Sequence, residues 1–182
     1  MSADAGAWPR YCEENVWRLC GALPEGASRA YATIISNASQ SVAMWSQRAE
    51  PRPGLPIIWD YHAVLFARFA DGWRVIDSEC TLAPPLPAAH WLDACFRPLA
   101  REYAAFAPRF RLVKAETYRR ELRTDRSHML DRLGWRSPPP PWPCIGHGTN
   151  LAQFVDMQSP FLGEVLDLET LRARVRSPAM SS

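Results

Sequence analysis

Cys12, His62 and Asp77 follow one another along the chain as a thiol, an imidazole and a carboxylate, the groups that together let a thiol attack a carbonyl carbon. Cys12 heads a stretch in which Val16, Leu19, Cys20 and Leu23 recur at the spacing of one buried helix face, with Gly21, Pro24 and Gly26 closing it. A thiol in the first turn of such a helix feels unpaired backbone N–H groups and the positive end of the helix dipole, and both favour the thiolate. Cys20, Cys80, Cys95 and Cys144 fall on an apolar helix face, after a strand, within an apolar run and in a proline-rich loop, and none has that setting. Taken singly, a cysteine is more often core filler, a histidine at a strand start more often structural, and an aspartate here could simply cap a turn. Order and context together give the three their chemical reading.

His62 and Asp77 depend on strands to bring them together. Residues 57–69 are rich in β-branched and aromatic side chains, Asp71-Gly72 is a favoured two-residue turn, and residues 73–77 run back. If Asp71-Gly72 is the whole loop, Asp77 pairs with Phe66 and His62 lies four residues further along the same face, about 13 Å away. A four-residue loop over 69–72 instead pairs His62 with Glu79. Pairing His62 with Asp77 needs a wider loop or a bulge. Register alone leaves the carboxylate open.

Around this hairpin, residues 31–36 read as a strand entering a turn, and residues 42–45 as a strand returning beside it. Residues 47–56, with Arg48, Pro51, Pro53, Gly54 and Pro56, must be loop. The second half is helix-rich: 88–96 with Trp91, Leu92 and Cys95 on one face, 99–106, then a strand over 110–113 and a helix over 115–122. Residues 123–137 are largely polar. Residues 138–143 form stiff polyproline-like chain, read as a strap across the surface. Short helices over 151–154 and 168–175 follow, with Asn150 and Asp167 as N-caps.

At 182 residues the chain fits a single catalytic domain, with residues 1–10 and 177–182 expected as flexible ends. Eight Trp mark a folded protein. The formal charge is only +2, Lys114 is the single lysine, and the Arg residues are interspersed with Asp and Glu, so nucleic acid is not the expected partner. No stretch has the length of a membrane span, and residues 1–10 have no signal-type apolar core. Five cysteines without CxxC pairs fit free thiols in a reducing, cytoplasmic setting. His62, His90, His128 and His147 do not fall at ligand spacings, so no metal and no cofactor is expected.

Four segments carry a resemblance: Tyr11-Cys12-Glu13-Glu14-Asn15-Val16-Trp17, Ile58-Trp59-Asp60-Tyr61-His62-Ala63-Val64-Leu65, Asp125-Arg126-Ser127-His128-Met129, and Pro138-Pro139-Pro140-Pro141-Trp142-Pro143-Cys144-Ile145. In this order they resemble the signature segments of the protein N-terminal glutamine amidohydrolase family, and the likeness runs from Tyr11 to about Val175. It implies an α/β fold, a three-layer α-β-α sandwich on a mostly antiparallel sheet, related to transglutaminases and papain-like proteases. It implies an enzyme that deamidates the side chain of an N-terminal glutamine to glutamate through a cysteine thioester and feeds a degradation pathway that reads N-terminal residues. Its partners are then protein or peptide substrates with N-terminal Gln, and a monomer is expected. The family's triad maps onto Cys12, His62 and Asp77. Where relatives tend to carry Asp-x-Asp this chain has Asp77-Ser78-Glu79, and the family pattern selects Asp77. The Cys12 backbone N–H is the natural oxyanion donor. Recognition of the free α-ammonium calls for a carboxylate, for which Glu13, Glu14 and Asp60 are the candidates. Acyl transfer or proteolysis on the same triad, and an inactive module that binds N-termini, are the alternatives.

Overall fold

Side-chain size on the two faces of the central strands decides where the helices go. The structure, a computed structural model, describes residues 6–52 and 54–177. In β1 (Arg29–Ser36) and β4 (His62–Phe69), the small Ala30, Ala32, Ala63 and Ala67 share one face with Ile34 and Leu65. Small residues let helices lie close. Val16 of α1 (Cys12–Gly21), Tyr118 of α3 (Ala115–Glu121) and Phe154 of α4 (Leu151–Val155) cover that face. The opposite face presents Ile35, Val64 and Phe66 to Trp91 and Leu92 of α2 (Ala88–Cys95) and Leu171 of α5 (Leu168–Arg176). The result is the expected sandwich of helices on both sides of a sheet.

That sheet also holds β5 (Gly72–Ile76), β6 (Leu86–Pro87), β7 (Arg109–Lys114) and β10 (Glu164–Asp167), in the order β10-β7-β1-β4-β5-β6 with every neighbouring pair antiparallel. Two small antiparallel pairs stand apart: β2 (Val42–Met44) with β3 (Ile57–Trp59), and β8 (Leu130–Asp131) with β9 (Gly134–Trp135). No helix among the described residues is long and apolar enough to cross a membrane.

Several sequence expectations change. The 57–69 segment is two strands, broken at Asp60 and Tyr61, where Ser36 Oγ donates to the Asp60 carbonyl and the Tyr61 N–H turns onto the Asp60 carboxylate. Its first piece pairs with Val42–Met44, so residues 42–45 do not return beside β1. α1 ends at Gly21, leaving Leu23 40% exposed beyond it, and residues 12–16 are buried all round. The 99–106 helix is a 3-10 helix over Arg101–Phe106. β10 and the β8–β9 hairpin had no readable signal, both being four residues or fewer per element. Asp167 does cap α5, accepting from Thr170 N–H at 2.8 Å, whereas Asn150 spends its side chain on Arg123 N–H and the Glu121 carbonyl. Of the expected flexible ends, residues 1–5 and 178–182 lie outside the described residues. Trp8 is held, exchanging hydrogen bonds with Asn15 at 2.8 Å and donating to the Pro138 carbonyl at 2.7 Å.

The proline-rich segment is a strap over the start of α1. Tyr11 Oη donates to the Ser137 carbonyl, and Arg126 donates to the carbonyls of Pro140, Trp142 and Pro143. Polyproline chain has no internal hydrogen bonds, so its carbonyls are free to be used this way.

Candidate functional site

α1 reaches the sheet where β4 begins, and this sets the geometry. Cys12 lies on the alanine-rich face, where its sulfur meets the backbone N–H of Ala63, while His62 turns to the α2 side by strand alternation. Both line one cavity of about 320 Å³, together with Trp59, Tyr61, Glu79 and His128. That volume is in the range of small-ligand sites, roughly 300–1,000 Å³.

His62 and Asp77 meet directly: Nε2 lies 2.8 Å from Asp77 Oδ1, and both residues are 1% exposed. The hairpin achieves this by an unexpected route. Phe69 pairs with Gly72 and the turn is Ala70-Asp71, a register that extrapolates to His62 opposite Glu79. The ladder stops at Leu65 opposite Ile76, however, and the chain turns, with Glu79 N–H donating to Asp77 Oδ1 at 3.0 Å. Leaving the ladder frees Asp77 to reach His62, while Glu79 goes to the cavity wall.

Asp77 is fully supplied with donors. Oδ1 takes His62 and Glu79 N–H; Oδ2 takes Gln47 Nε2 at 3.2 Å and Trp91 Nε1 at 3.1 Å. Burial pushes its pKa up, but the charge and hydrogen bond of His62 and the donors from Gln47 and Trp91 outweigh it and hold the carboxyl below its ordinary value. Burial likewise pushes His62 down, and the Asp77 charge and hydrogen bond bring it above its ordinary value. With Nε2 committed to Asp77, Nδ1 is the nitrogen left for proton exchange. Cys80 and Cys95 stand behind Asp77, with ligand atoms of the three within 4.8 Å of one another, a closeness their spacing in the chain does not reveal.

The folded interior works against the thiolate that the helix start favours at Cys12. Cys12 is 8% exposed, and burial pushes its thiol well above the ordinary value; the Glu13 carboxylate adds to this and the Ala63 N–H opposes it. The helix start is outweighed because an acid sits beside the sulfur in a water-poor site. Cys144, by contrast, is exposed.

The three acidic candidates separate. Glu14 is buried away from the cavity: Arg126 Nε and Nη2 bind Oε1 at 2.7 Å and Oε2 at 2.8 Å, and Trp142 Nε1 binds Oε2 at 2.6 Å. A bidentate guanidinium and an indole leave no place for a substrate ammonium, so Glu14 secures the strap. Asp60 lines the cavity and is exposed. Glu13 is buried beside Cys12, with Oε2 3.0 Å from Tyr61 Oη and 3.8 Å from Cys12 Sγ. Gln47, Trp91, Tyr61 and His128 were not singled out from the sequence, although Tyr61 and His128 stand inside the quoted segments.

Over residues 8–175 the chain matches the model of a family described as N-terminal glutamine amidase. It is similar to the protein N-terminal glutamine amidohydrolase of Homo sapiens, 37% identical over 156 residues, covering 81% of this chain and 76% of that protein. Its likeness to the protein of the same name from Arabidopsis thaliana is 32% identity over 181 residues, covering 92% and 82%. For that from Drosophila ananassae it is 38% over 159 residues, covering 82% and 76%.

Proposed function

The chain belongs to the N-terminal glutamine amidase family, and on that premise we propose that it hydrolyses the side-chain amide of an N-terminal glutamine through Cys12, His62 and Asp77. The observation that carries the proposal is that Cys12 and His62, the latter hydrogen-bonded to Asp77, line one cavity in a chain of this family. The relatives' name supplies the substrate.

Attack proceeds with the Cys12 Sγ proton passing to His62 Nδ1 and the sulfur bonding to the glutamine amide carbon. The carbonyl oxygen becomes an oxyanion. Cys12 N–H lies in the first helical turn, where no intrahelical acceptor exists, and is placed to donate to it. Collapse of the tetrahedral species breaks the C–N bond, and the proton held by His62 leaves with ammonia. The thioester is then attacked by water, whose proton passes to His62, and the second collapse returns that proton to the sulfur with release of N-terminal glutamate. Asp77 keeps its charge throughout, fixing the Nε2–H tautomer and stabilising the imidazolium. A glutamate terminus would be consumed by reactions that read N-terminal residues.

Mass spectrometry of peptides with N-terminal Gln, internal Gln or N-terminal Asn tests this. Replacement of NH2 by OH should appear only on the first. Cleavage of the chain or addition of an amine would refute hydrolysis of the side chain, and no change in any peptide would refute the enzyme reading.

A further inference from the structure

Glu13 and Glu14 are consecutive and both fully buried, yet only Glu14 has both oxygens filled. Glu13 Oε2 takes the Tyr61 hydroxyl proton. Oε1 has no hydrogen-bond partner. His128 Nε2 lies 3.3 Å from it, but Tyr61 has already given its single proton to Glu13, so its oxygen accepts the Nε2 hydrogen at 3.2 Å. His128 Nδ1 is also buried without a partner. A carboxylate oxygen and a ring nitrogen therefore stand unpartnered behind the wall of the cavity, in a protein interior where such groups are ordinarily paired.

We propose that Glu13 is the receptor for the α-ammonium of the substrate's first residue, with Tyr61 and His128 as its walls. The inference rests on the deamidation reading above and names how that site selects a free chain terminus. His128 is the member that opens: its side chain is 25% exposed, lines the cavity and stands on the three-residue 3-10 helix Ser127–Met129. Turning the ring outward uncovers Oε1.

The reach is right for glutamine. Four bonds separate its α-nitrogen from its side-chain amide carbon, about 5 Å when extended. That carbon must come within about 3.5 Å of the sulfur, and Glu13 Oε2 is 3.8 Å from that sulfur. One residue can therefore meet both. Asparagine is a carbon shorter, and an internal glutamine carries a peptide N–H where the ammonium belongs. Asp60 and Glu79 also line the cavity, but Asp60 is exposed and its Oδ1 already holds the Tyr61 N–H, so an ion pair there is weakened by water. An ammonium beside Glu13 also offsets the charge that keeps the Cys12 proton in place, which couples recognition of the terminus to release of the nucleophile.

The test compares a Gln-initiated peptide with its des-amino counterpart, in which a 4-carbamoylbutanoyl group replaces the glutamine, in wild type, Glu13→Gln and Asp60→Asn. The ratio of the two kcat/KM values within one preparation does not depend on how much protein is folded. Wild type should favour the free amine by about a hundredfold or more. Glu13→Gln should bring the ratio towards one by slowing the free-amine peptide, and Asp60→Asn should leave it unchanged. A structure of Cys12→Ala with the Gln-initiated peptide bound should place the α-nitrogen within about 3.2 Å of a Glu13 oxygen, whatever becomes of Glu13→Gln. An unaltered ratio in Glu13→Gln, its loss in Asp60→Asn, equal turnover of both peptides by wild type, or an α-nitrogen seated elsewhere overturns the assignment. A wild type that releases no ammonia from the Gln-initiated peptide refutes the deamidation reading itself.

Discussion

Asp77→Asn tests the third member of the proposed triad with almost no change of shape. The carboxylate receives four N–H donors, two on each oxygen. An amide offers one oxygen and one NH2, so one pair of donors must face another donor. If the NH2 faces Gln47 and Trp91, Gln47 can turn its own amide over and present Oε1, which has no partner in the native structure. Trp91 Nε1 is then stranded, at a cost of about 1–3 kcal/mol in stability. If the NH2 faces His62, Nε2 becomes the acceptor and the ring proton moves to Nδ1, the nitrogen that must take the thiol's proton. That arrangement abolishes the base. The corresponding change in serine triads costs about four orders of magnitude in kcat, and a thiol, being more acidic, needs less help. Cys12 gives back part of that advantage because burial and Glu13 push its pKa well up, so the expected loss is about a thousandfold to ten-thousandfold. Ammonia release at saturating peptide, with thermal melts to confirm folding, measures it. The acid limb of kcat/KM should also move to lower pH, because Asp77 is what raises His62 against the effect of burial. Glu79→Gln should lose only a few-fold, since its backbone N–H, not its carboxylate, holds Asp77. A folded Asp77→Asn that keeps more than about a tenth of wild-type turnover, or a Glu79→Gln equally damaged, would refute the assignment.

Cys12→Ala should stop ammonia release while circular dichroism stays native, because the truncated side chain is one sulfur atom at the cavity wall; substantial turnover by the folded variant would sink the mechanism. Arg126→Met leaves the Glu14 carboxylate buried with Trp142 as its remaining side-chain partner, and should cost about 3–5 kcal/mol in chemical denaturation; a loss below about 1 kcal/mol would show that the pair is not what holds the strap. Linkage gives a pH signature in two parts. For His62, burial lowers and Asp77 more than restores the pKa, so its contribution to stability is complete below the ordinary 6.5 and is lost as pH rises through the raised value. For Asp77, burial raises and its donors more than reverse it, so its contribution is complete above the ordinary 3.8 and is lost as pH falls through the lowered value. The stability difference between wild type and Asp77→Asn should therefore shrink towards both extremes, and a difference independent of pH would refute the coupling.

Much of the site was legible as residue type and order. Cys12 at a helix start, His62 within a β-prone segment and the carboxylates at 77 and 79 are local features, and the period of apolar residues placed the elements that carry them, though not the break at Asp60 and Tyr61 that makes His62 the first residue of its strand. Local pattern also marked the proline-rich strap, because proline's fixed φ and missing N–H act wherever it stands. The choice between Asp77 and Glu79 depended on where the β4–β5 ladder stops, and beyond that point Asp77 meets Gln47 and Trp91, donors arriving from a loop and from α2. The helix start that favours a Cys12 thiolate is a property of the sequence, whereas the burial and the Glu13 carboxylate that push its pKa up act through the folded interior. The division between Glu13 and Glu14 was likewise beyond a local reading. Successive residues in a helix point about 100° apart, so one meets Arg126 and Trp142 while the other meets Tyr61 and His128, all supplied by segments tens of residues away. Spacing along the chain determines which groups are present and on which elements they ride; the distances that set charge, tautomer and access exist only once those elements have packed.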